Sequence, residues 1–347
     1  MEDSEERMGG VEMPTVVCVS SVNYEWMYQR PQQLMRGLSE RGWRVIYCNK
    51  TQRKDKYLEA LSENLTICHD MKRLIESAEK ADVVWVIDPR QRDLKGLFKE
   101  KLFLYDCVDD FPFLQNDHYK MLKIADIVLA TSNPLYHAIA KYRKDLYLVP
   151  NGCDYKHFSE RNKLSIDCQI KNALGIIGYI GALAPWVDYK LLELIAAEKP
   201  KHTLLLVGAS LGNIAMPKKN NIVYVGHQSY DKVPSFLSMM DVTLIPFRKN
   251  KITYATNPIK MYEYLSQGKP IVSAALPEVM PFARYLYVAK NHKDFIDHID
   301  KALVENDSEI LAQRKEIARR NAWEKRIDNI EEIISSYLRK LPRKVSR

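Results

Sequence analysis

Short apolar runs alternate with amphipathic stretches along the whole chain. The runs have the length of buried strands, and the stretches between them repeat their apolar residues at helical spacing. Strands are predicted at residues 15–20, 43–48, 65–68, 82–87, 102–106, 127–131, 146–149, 175–181, 203–207, 222–225, 242–245 and 270–273. Helices are predicted at 31–41, 134–142, 258–268, 294–303, 307–320 and 322–338. This alternation indicates an α/β protein with doubly wound parallel sheets.

The length and one break in the pattern predict two domains. A chain of 347 residues is long enough for two cores of ordinary size. The turn sequence 150–154 (Pro-Asn-Gly-Cys-Asp) and the polar stretch that follows it separate the two groups of strands. We therefore expect a disordered segment at 1–13, a first domain at 14–158 and a second at 172–322.

Composition restricts the setting in which the protein works. No apolar run approaches the roughly eighteen residues of a membrane span, and the acidic start of the chain is unlike a secretory signal. The six cysteines are scattered without a C-x-x-C pair, which argues against a zinc site and against a disulfide framework. We expect a cytoplasmic protein.

The net charge of +8 favours an anionic partner. No nucleic-acid-binding motif is present, and the aromatic residues do not alternate with the basic ones, so nucleic acid is not expected. The absence of G-x-G-x-x-G argues against a nicotinamide enzyme. The basic C-terminus is either a solvated tail or a contact with an anionic membrane surface; it contains Arg339, Lys340, Arg343, Lys344 and Arg347.

The most informative segment is residues 257–272. It reads as a helix with Pro258 in its first turn and Gly268 as its stop, followed by a buried strand. Glu263, in mid-helix, is either a solvated carboxylate or the acceptor of two charge-assisted hydrogen bonds from a ribose diol. In the second case the helix start at Thr256 and Asn257 offers free N–H groups to a diphosphate.

This segment resembles the nucleotide-sugar motif of GT-B glycosyltransferases, in particular the bacterial relatives of glycosyltransferase family four. In those enzymes a Lys-x-x-Glu-Tyr-Leu-x-x-Gly-Lys-Pro helix closes over the donor. The likeness extends to residues 26–49, 105–111 and 178–189, and it is strongest to the teichuronic-acid and capsule-type transferases. It implies a GT-B fold with the donor on the second domain, the acceptor on the first, and a last helix at about 323–340 that crosses back.

The resemblance also implies a set of donor contacts. Glu263 would bind the ribose, with Pro258 and Ile259 at the start of the same helix. Ala255 stands where the family has a Glu that contacts the sugar, so sugar recognition would pass to Thr256 or Asn257.

In the family the loop after Gly181 supplies an Arg and a Lys to the diphosphate, and the matching region here has Trp186, Asp188 and Lys190 instead. The candidates for binding the diphosphate are Arg248, Lys251 and Lys260. Lys260 is alternatively a simple ion-pair partner of Glu263, three residues away. His227 lies in a loop that resembles the one pairing with the nucleobase, and Phe247 is expected beside the base.

The first loop contributes Trp26, Gln29 and Arg30. It joins a buried strand to a helix, where parallel sheets present ligand sites. Arg30 at a helix start is unfavourable without an anion, so it meets either a ligand or an acidic neighbour at the domain surface. The resemblance of Trp-x-x-x-Arg-Pro-Gln to the family implies an acceptor or phosphate loop.

Three carboxylates, Asp106, Asp109 and Asp110, follow another strand end. They suit a metal site, a helix cap or a contact with the attacking hydroxyl. The resemblance implies metal-independent transfer, so we expect no metal and no cofactor, with Asp109 or Asp110 at the acceptor. His118 is either an ordinary surface or core histidine or a further substrate contact.

The resemblance therefore implies transfer of a sugar from a nucleoside-diphosphate donor to a hydroxyl of a cell-surface glycan or a polyprenyl-linked acceptor, with retention at the anomeric carbon. The reaction would take place in the cytoplasm, at the inner face of the plasma membrane. Two alternatives remain open: a nucleotide-sugar epimerase or hydrolase of the same fold, and a non-catalytic sugar-nucleotide-binding partner.

Overall fold

The computed structural model describes residues 13–53, 55–110, 112–159, 174–212 and 214–342. The predicted disordered start (apart from Met13), most of the polar stretch after residue 158, and the basic residues from 343 onward lie outside this part of the chain.

The first sheet has eight strands and is buried on both faces. Its strands are β1 Thr15–Val19, β2 Arg44–Cys48, β3 Leu58–Ala60, β4 Leu65–Cys68, β5 Val83–Val86, β6 Leu102–Cys107, β7 Ile127–Ala130 and β8 Leu146–Leu148. They run in the order β3-β4-β2-β1-β5-β6-β7-β8, and only β3 is antiparallel to its neighbour. The apolar character of the inner strands follows from this two-sided burial.

The second sheet has six parallel strands. They are β9 Ile176–Ile180, β10 Thr203–Val207, β11 Ile222–Tyr224, β12 Val242–Ile245, β13 Ile271–Ala274 and β14 Tyr287–Ala289. Their order is β11-β10-β9-β12-β13-β14, with β9 and β12 at the centre. We call residues 13–159 the N-terminal lobe and residues 174–320 the C-terminal lobe.

Helices cover both sheets. They are α1 Arg30–Glu40, α2 Met71–Glu76, α3 Gln115–Ile124, α4 Asn133–Ile139, α5 Tyr155–Ser159, α6 Tyr189–Glu198, α7 Val233–Met239, α8 Lys251–Ala255, α9 Ile259–Ser266, α10 His292–Leu303, α11 Ser308–Arg320 and α12 Trp323–Lys340. Within the described ranges, none of these helices combines the length and apolarity that a membrane crossing needs.

The predicted α/β class is confirmed, and each predicted strand is present with ends within one residue of the expected ones. The strands β3 and β14 were not predicted. Both are three residues long, lie at sheet edges and are only partly buried, so they carry no continuous apolar run. Pro258 caps α9 instead of beginning it, and Gly268 follows the helix end with φ of +71°.

The last helix returns to the N-terminal lobe. Trp323 and Ile327 of α12 pack in the same core as Leu34 of α1. The chain reaches this position through a short parallel bridge, in which the Trp323 amide donates to the Cys153 carbonyl at 3.0 Å. Residues 150–153 and the start of α12 therefore hold each other in place.

Gly152→Ala should destabilise the fold by about 1–3 kcal/mol, the usual cost of overpacking. A Cβ at this position would lie 2.5 Å from the carbonyl oxygen of Asn321, a backbone atom that cannot move away by changing a side-chain rotamer. Urea unfolding of the variant and of the wild type measures the loss. Equal stability of the two would contradict the assigned role of this bridge.

Candidate active site

The site lies where loops from the carboxyl ends of the two sheets meet. Trp26 of the N-terminal lobe stacks on His227 of the C-terminal lobe, with ring centroids 4.5 Å apart and planes at 17°. On another part of the contact, Lys251 Nζ lies 3.5 Å from Asp110 Oδ2. Parallel sheets bind ligands at this edge, so the cleft is the candidate active site.

Lys260, in the first turn of α9, places its ammonium over two aromatic rings. Nζ lies 4.8 Å from the centroid of Phe247 and 5.5 Å from that of Tyr179. A Cβ on Gly181 would lie 2.7 Å from Lys260 Cε, and the φ of Gly181 is +146°, so only glycine suits this position. Burial lowers the pKa of Lys260 to about 8, and the charge of Glu263 opposes this shift.

Glu263 lies one helical turn after Lys260 on the same helix face. Burial raises the pKa of this carboxyl to about 7, and the charge of Lys260 opposes the shift. Neither side chain makes a hydrogen bond or an ion pair with another described residue. The two side chains are also too far apart for a salt bridge with each other. Shifted pKa values and unused polar atoms in a cleft are typical of a functional site.

Asp109 faces this helix from the N-terminal lobe. Its carboxyl lies 3.3 Å from the Thr256 hydroxyl, at the end of α8. The pKa of Asp109 is raised to about 7, chiefly by burial and further by Asp110, while Thr256 opposes the shift. Asp110 differs from it, because its charge is met by Lys251 at 3.5 Å. The two neighbouring carboxylates are therefore chemically distinct.

Arg30 points into the protein. Its guanidinium forms a bidentate pair with Asp106, with Nε 2.8 Å from Oδ2 and Nη2 2.9 Å from Oδ1, and Nη1 donates to the Val149 carbonyl at 3.1 Å. Arg30 is 2% exposed and Asp106 is 0% exposed. This arrangement corresponds to the alternative in which Arg30 meets an acidic neighbour, and it leaves no guanidinium edge for a phosphate in this conformation.

The same pair removes Asp106 from the carboxylate cluster, since both of its oxygens accept from Arg30. In the part of the chain that the structure describes, no three His, Cys, Asp or Glu side chains are placed to hold a metal ion.

Asn257 holds the two lobes together and is 2% exposed. Its Nδ2 donates to Glu278 Oε2 at 2.7 Å, and its Oδ1 and carbonyl accept from the Asn151 amide N–H and side chain at 3.1 and 2.7 Å. Glu278 also accepts from the Asn133 amide N–H at 2.9 Å. The side chain of Asn257 is therefore occupied, and the predicted donor contact is left to Thr256 and the backbone.

Sequence reasoning did not single out Asn151, Asn133 or Glu278. It also missed the contact of Gln33 with Tyr230, whose hydroxyl accepts from Gln33 Nε2 at 2.6 Å across the lobes. No local sequence pattern marks these residues, because each of them has a hydrogen-bond partner in the other lobe.

The other predicted donor residues lie around this centre with different exposures. Phe247 is 5% exposed and forms the surface beneath Lys260. The Arg248 amide donates to the Trp186 carbonyl at 2.8 Å, which joins the two loops, while the Arg248 side chain is exposed. Ile259 packs against the core of the N-terminal lobe.

The remaining residues predicted for the acceptor side have structural contacts. The Gln29 amide donates to Gln32 Oε1 at 3.2 Å at the start of α1. His118 Nδ1 lies 3.1 Å from the Tyr105 hydroxyl, and burial lowers the pKa of His118. Of the predicted residues, the structure brings Lys260, Gly181 and Phe247 into contact, and it places Thr256 beside Asp109.

The chain is similar to known proteins in sequence and in fold. Residues 175–306 match the family model described as glycosyl transferases group 1. A Bacillus subtilis (strain 168) protein named as the teichuronic acid biosynthesis glycosyltransferase TuaH is 26% identical over an alignment of 271 residues, and the match covers 69% of this chain and 68% of that protein.

Solved structures match over almost the whole chain. Sucrose-phosphate synthase from Thermosynechococcus elongatus has a TM-score of 0.74 at 13% identity and covers 94% of this chain and 100% of its own. Anabaena HepE in complex with UDP-glucose has a TM-score of 0.71 at 15% identity, with 93% and 100% covered. These likenesses confirm the predicted GT-B fold. The match of residues 175–306 to the group 1 model and the similarity to TuaH bear out the predicted glycosyltransferase activity.

Asp109→Asn should stabilise the fold increasingly as the pH rises from about 4 to 7. The folded-state pKa of Asp109, about 7, lies above its ordinary value of 3.8. The unfolded chain therefore releases this proton at lower pH than the folded protein does, and the wild type loses stability as the pH rises between these two values. The amide of Asn stays neutral and keeps an acceptor for Thr256. Thermal melting from pH 4 to 8 measures the difference, with Asp231→Asn, an exposed position, as control. A difference that does not vary with pH would contradict the burial of a carboxyl here.

Proposed function

We propose that this chain, a GT-B glycosyltransferase with a group 1 domain, transfers a sugar from a nucleoside-diphosphate donor to a hydroxyl of a cell-surface glycan or lipid-linked acceptor. The observation that carries the proposal is the Lys260–Glu263 pair on α9, in which Lys260 Nζ lies over the rings of Phe247 and Tyr179 and neither side chain makes a hydrogen bond or ion pair with another described residue. The complex of HepE with UDP-glucose and the name of TuaH support the donor and acceptor classes.

Glu263 binds the ribose. Two ribose hydroxyls can donate to its two oxygens, and these charge-assisted hydrogen bonds favour the ionised form. The donor thus supplies the hydrogen bonds that the protein itself does not give to this carboxylate.

Lys260 binds the diphosphate. An adjacent anion favours the charged ammonium and so reverses the lowering of its pKa by burial. Negative charge grows on the diphosphate as the bond to the sugar breaks, and a fixed cation in a site of low dielectric stabilises that charge. Lys260 thereby replaces the Arg and Lys that are missing from the loop after Gly181.

Asp109 contacts the acceptor hydroxyl. Its pKa of about 7 suits acceptance of a proton or a strong hydrogen bond near neutral pH, whereas Asp110 is neutralised by Lys251. We propose retention at the anomeric carbon, as the family resemblance implies, in which case Asp109 orients the hydroxyl. In an inverting transfer Asp109 would be the general base.

We propose that the reaction takes place at the cytoplasmic face of a membrane that carries the acceptor. The exposed Arg339 and Lys340 end α12, and further basic residues follow them in sequence. Such a basic segment is attracted to anionic lipid.

Glu263→Gln should weaken UDP binding by roughly 1.5–3 kcal/mol, the range for hydrogen bonds to a charged group. Glutamine keeps the size of the side chain and loses the charge. Isothermal titration calorimetry with UDP measures the change, and Glu193→Gln, on the exposed face of α6, is the matched control. If the Glu263 variant binds UDP as tightly as the control does, the ribose assignment is wrong.

Lys260→Ala should lower kcat by about 10²-fold, the order found when one transition-state donor is removed, and should change the UDP affinity much less. The reason is that the leaving-group charge is largest in the transition state. The assay is transfer from a UDP-sugar at saturating donor, with Lys190→Ala as the control for an exposed lysine. An unchanged kcat would eliminate Lys260 and direct attention to Arg248.

A further inference from the structure

Two cavities of about 590 Å³ each open on the C-terminal lobe beside the cleft, and both are lined by Lys249. The first, the apolar cavity, is lined by Tyr254, Leu276, Pro277 and Met280. The second, the basic cavity, is lined by Arg248, Lys290, His292 and Lys293. The proposed function assigns no ligand to either cavity, although Phe247 and Arg248 line the basic cavity and Lys251, which pairs with Asp110, lines the apolar one.

The basic cavity has four exposed cations: Arg248, Lys249, Lys290 and Lys293. None of the four forms an ion pair with another described residue, although Lys249 Nζ donates to the Lys290 carbonyl at 2.9 Å. Like charges around one cavity repel each other, and an anion between them removes the repulsion. The cavity therefore favours an anionic ligand.

The acidic groups near these cations are already occupied. Asp188 is 2.8 Å from His292 Nε2 and accepts the Leu191 amide N–H at 3.0 Å. Asp294 accepts the Lys290 amide N–H at 3.2 Å. The helices α6 and α10 begin at this cavity, but the side chains of Asp188 and Asn291 cap them. The positive charge of the cavity therefore comes from its side chains.

The apolar cavity offers a surface for a sugar ring. Tyr254 is 62% exposed and Met280 is 51% exposed at its wall. A tyrosine ring provides an apolar face with a polar edge, which matches the C–H face and hydroxyl rim of a pyranose. Tyr254 belongs to α8, and the same helix carries Lys251, which pairs with Asp110 at the cleft. The apolar cavity thus begins beside the proposed acceptor carboxylates.

We propose that the two cavities together bind an anionic glycan, namely the part of the acceptor chain that is already formed and that extends from its reacting hydroxyl, at Asp109 of the N-terminal lobe, onto the C-terminal lobe. Sugar rings pack on Tyr254 and Met280, and the carboxylate or phosphate groups of the chain lie among the four cations. The inference rests on the proposed function and adds the charge class of the acceptor. A concave site with an aromatic wall fits a chain of sugars, whereas a membrane surface needs a face that projects from the protein.

The test uses oligogalacturonate as the acidic probe and a maltooligosaccharide of equal length as the neutral one, with the full chain saturated with UDP. The variant Lys290→Gln/Lys293→Gln should bind oligogalacturonate about tenfold more weakly than wild type, since each exposed charge contributes modestly. Lys218→Gln/Lys219→Gln is the control with the same change of net charge at exposed positions of the same lobe. Tyr254→Ala should weaken the same probe.

The expected result is binding of the acidic probe that falls with salt, that is weaker in the first double variant and unchanged in the control. Equal binding by both double variants, or equal binding of the neutral probe, overturns the inference. If the first double variant loses only the binding of inorganic phosphate, the cavity is a small-anion site. If it loses only the binding of phosphatidylglycerol vesicles, the cavity is a membrane contact. Either result also overturns the inference. The UDP-induced rise in Tm distinguishes this inference from the proposed function. If UDP stabilises the protein and the acidic probe does not bind, only this inference fails. If UDP does not bind, the proposed function fails as well.

Discussion

The buried hydrogen-bond network around Asn257 and Glu278 fixes the geometry on which the site depends. Glu278, 5% exposed, accepts from Asn257 on one oxygen and from Asn133 on the other. Asn257 is also bound by Asn151. A buried carboxylate is tolerated only when donors surround it, and here the donors come from both lobes. Since α9 begins two residues after Asn257, this network sets where Lys260 and Glu263 face the N-terminal lobe.

Within that frame, three ionisable groups are held at an energetic cost. Lys260, Glu263 and Asp109 all have pKa values displaced toward neutrality, and in each case burial is the main cause. A fold selected for stability alone would pair or expose them. In the proposed function, a nucleoside-diphosphate sugar brings the complementary groups, hydroxyl donors for a carboxylate and phosphates for an ammonium, and its binding would offset this cost.

The basic groups of the chain thus divide into different roles. Arg30 neutralises Asp106 inside the N-terminal lobe and stabilises the end of β6, from which Asp109 follows. Lys260 is a half-buried cation in the cleft, where desolvation lowers its pKa. Arg248, Lys249, Lys290 and Lys293 form an exposed group farther out. Burial distinguishes these roles, since a paired buried Arg acts on the fold while unpaired cations remain available to ligands.

The sequence by itself determined the elements whose signals are local. The apolar runs predicted the inner strands of both sheets, and Pro258 with Gly268 bounded the helix that carries Lys260 and Glu263. The resemblance of that helix to a family motif led to the GT-B fold, which the comparisons confirm. These signals lie within a few residues of each other, so periodicity and capping chemistry are enough to detect them.

Only the tertiary structure decided which polar groups are used internally. Arg30 was a plausible phosphate ligand until the fold brought Asp106, 76 residues away, to its guanidinium. Asn257 was a plausible donor contact until Asn151, 106 residues away, bound it. Glu263 could be a solvated or a functional carboxylate, and only the folded structure shows that no other described residue donates a hydrogen bond to its carboxylate. The physical reason is that a polar side chain is free or occupied according to partners that the folded chain supplies from distant positions, and no local pattern records them.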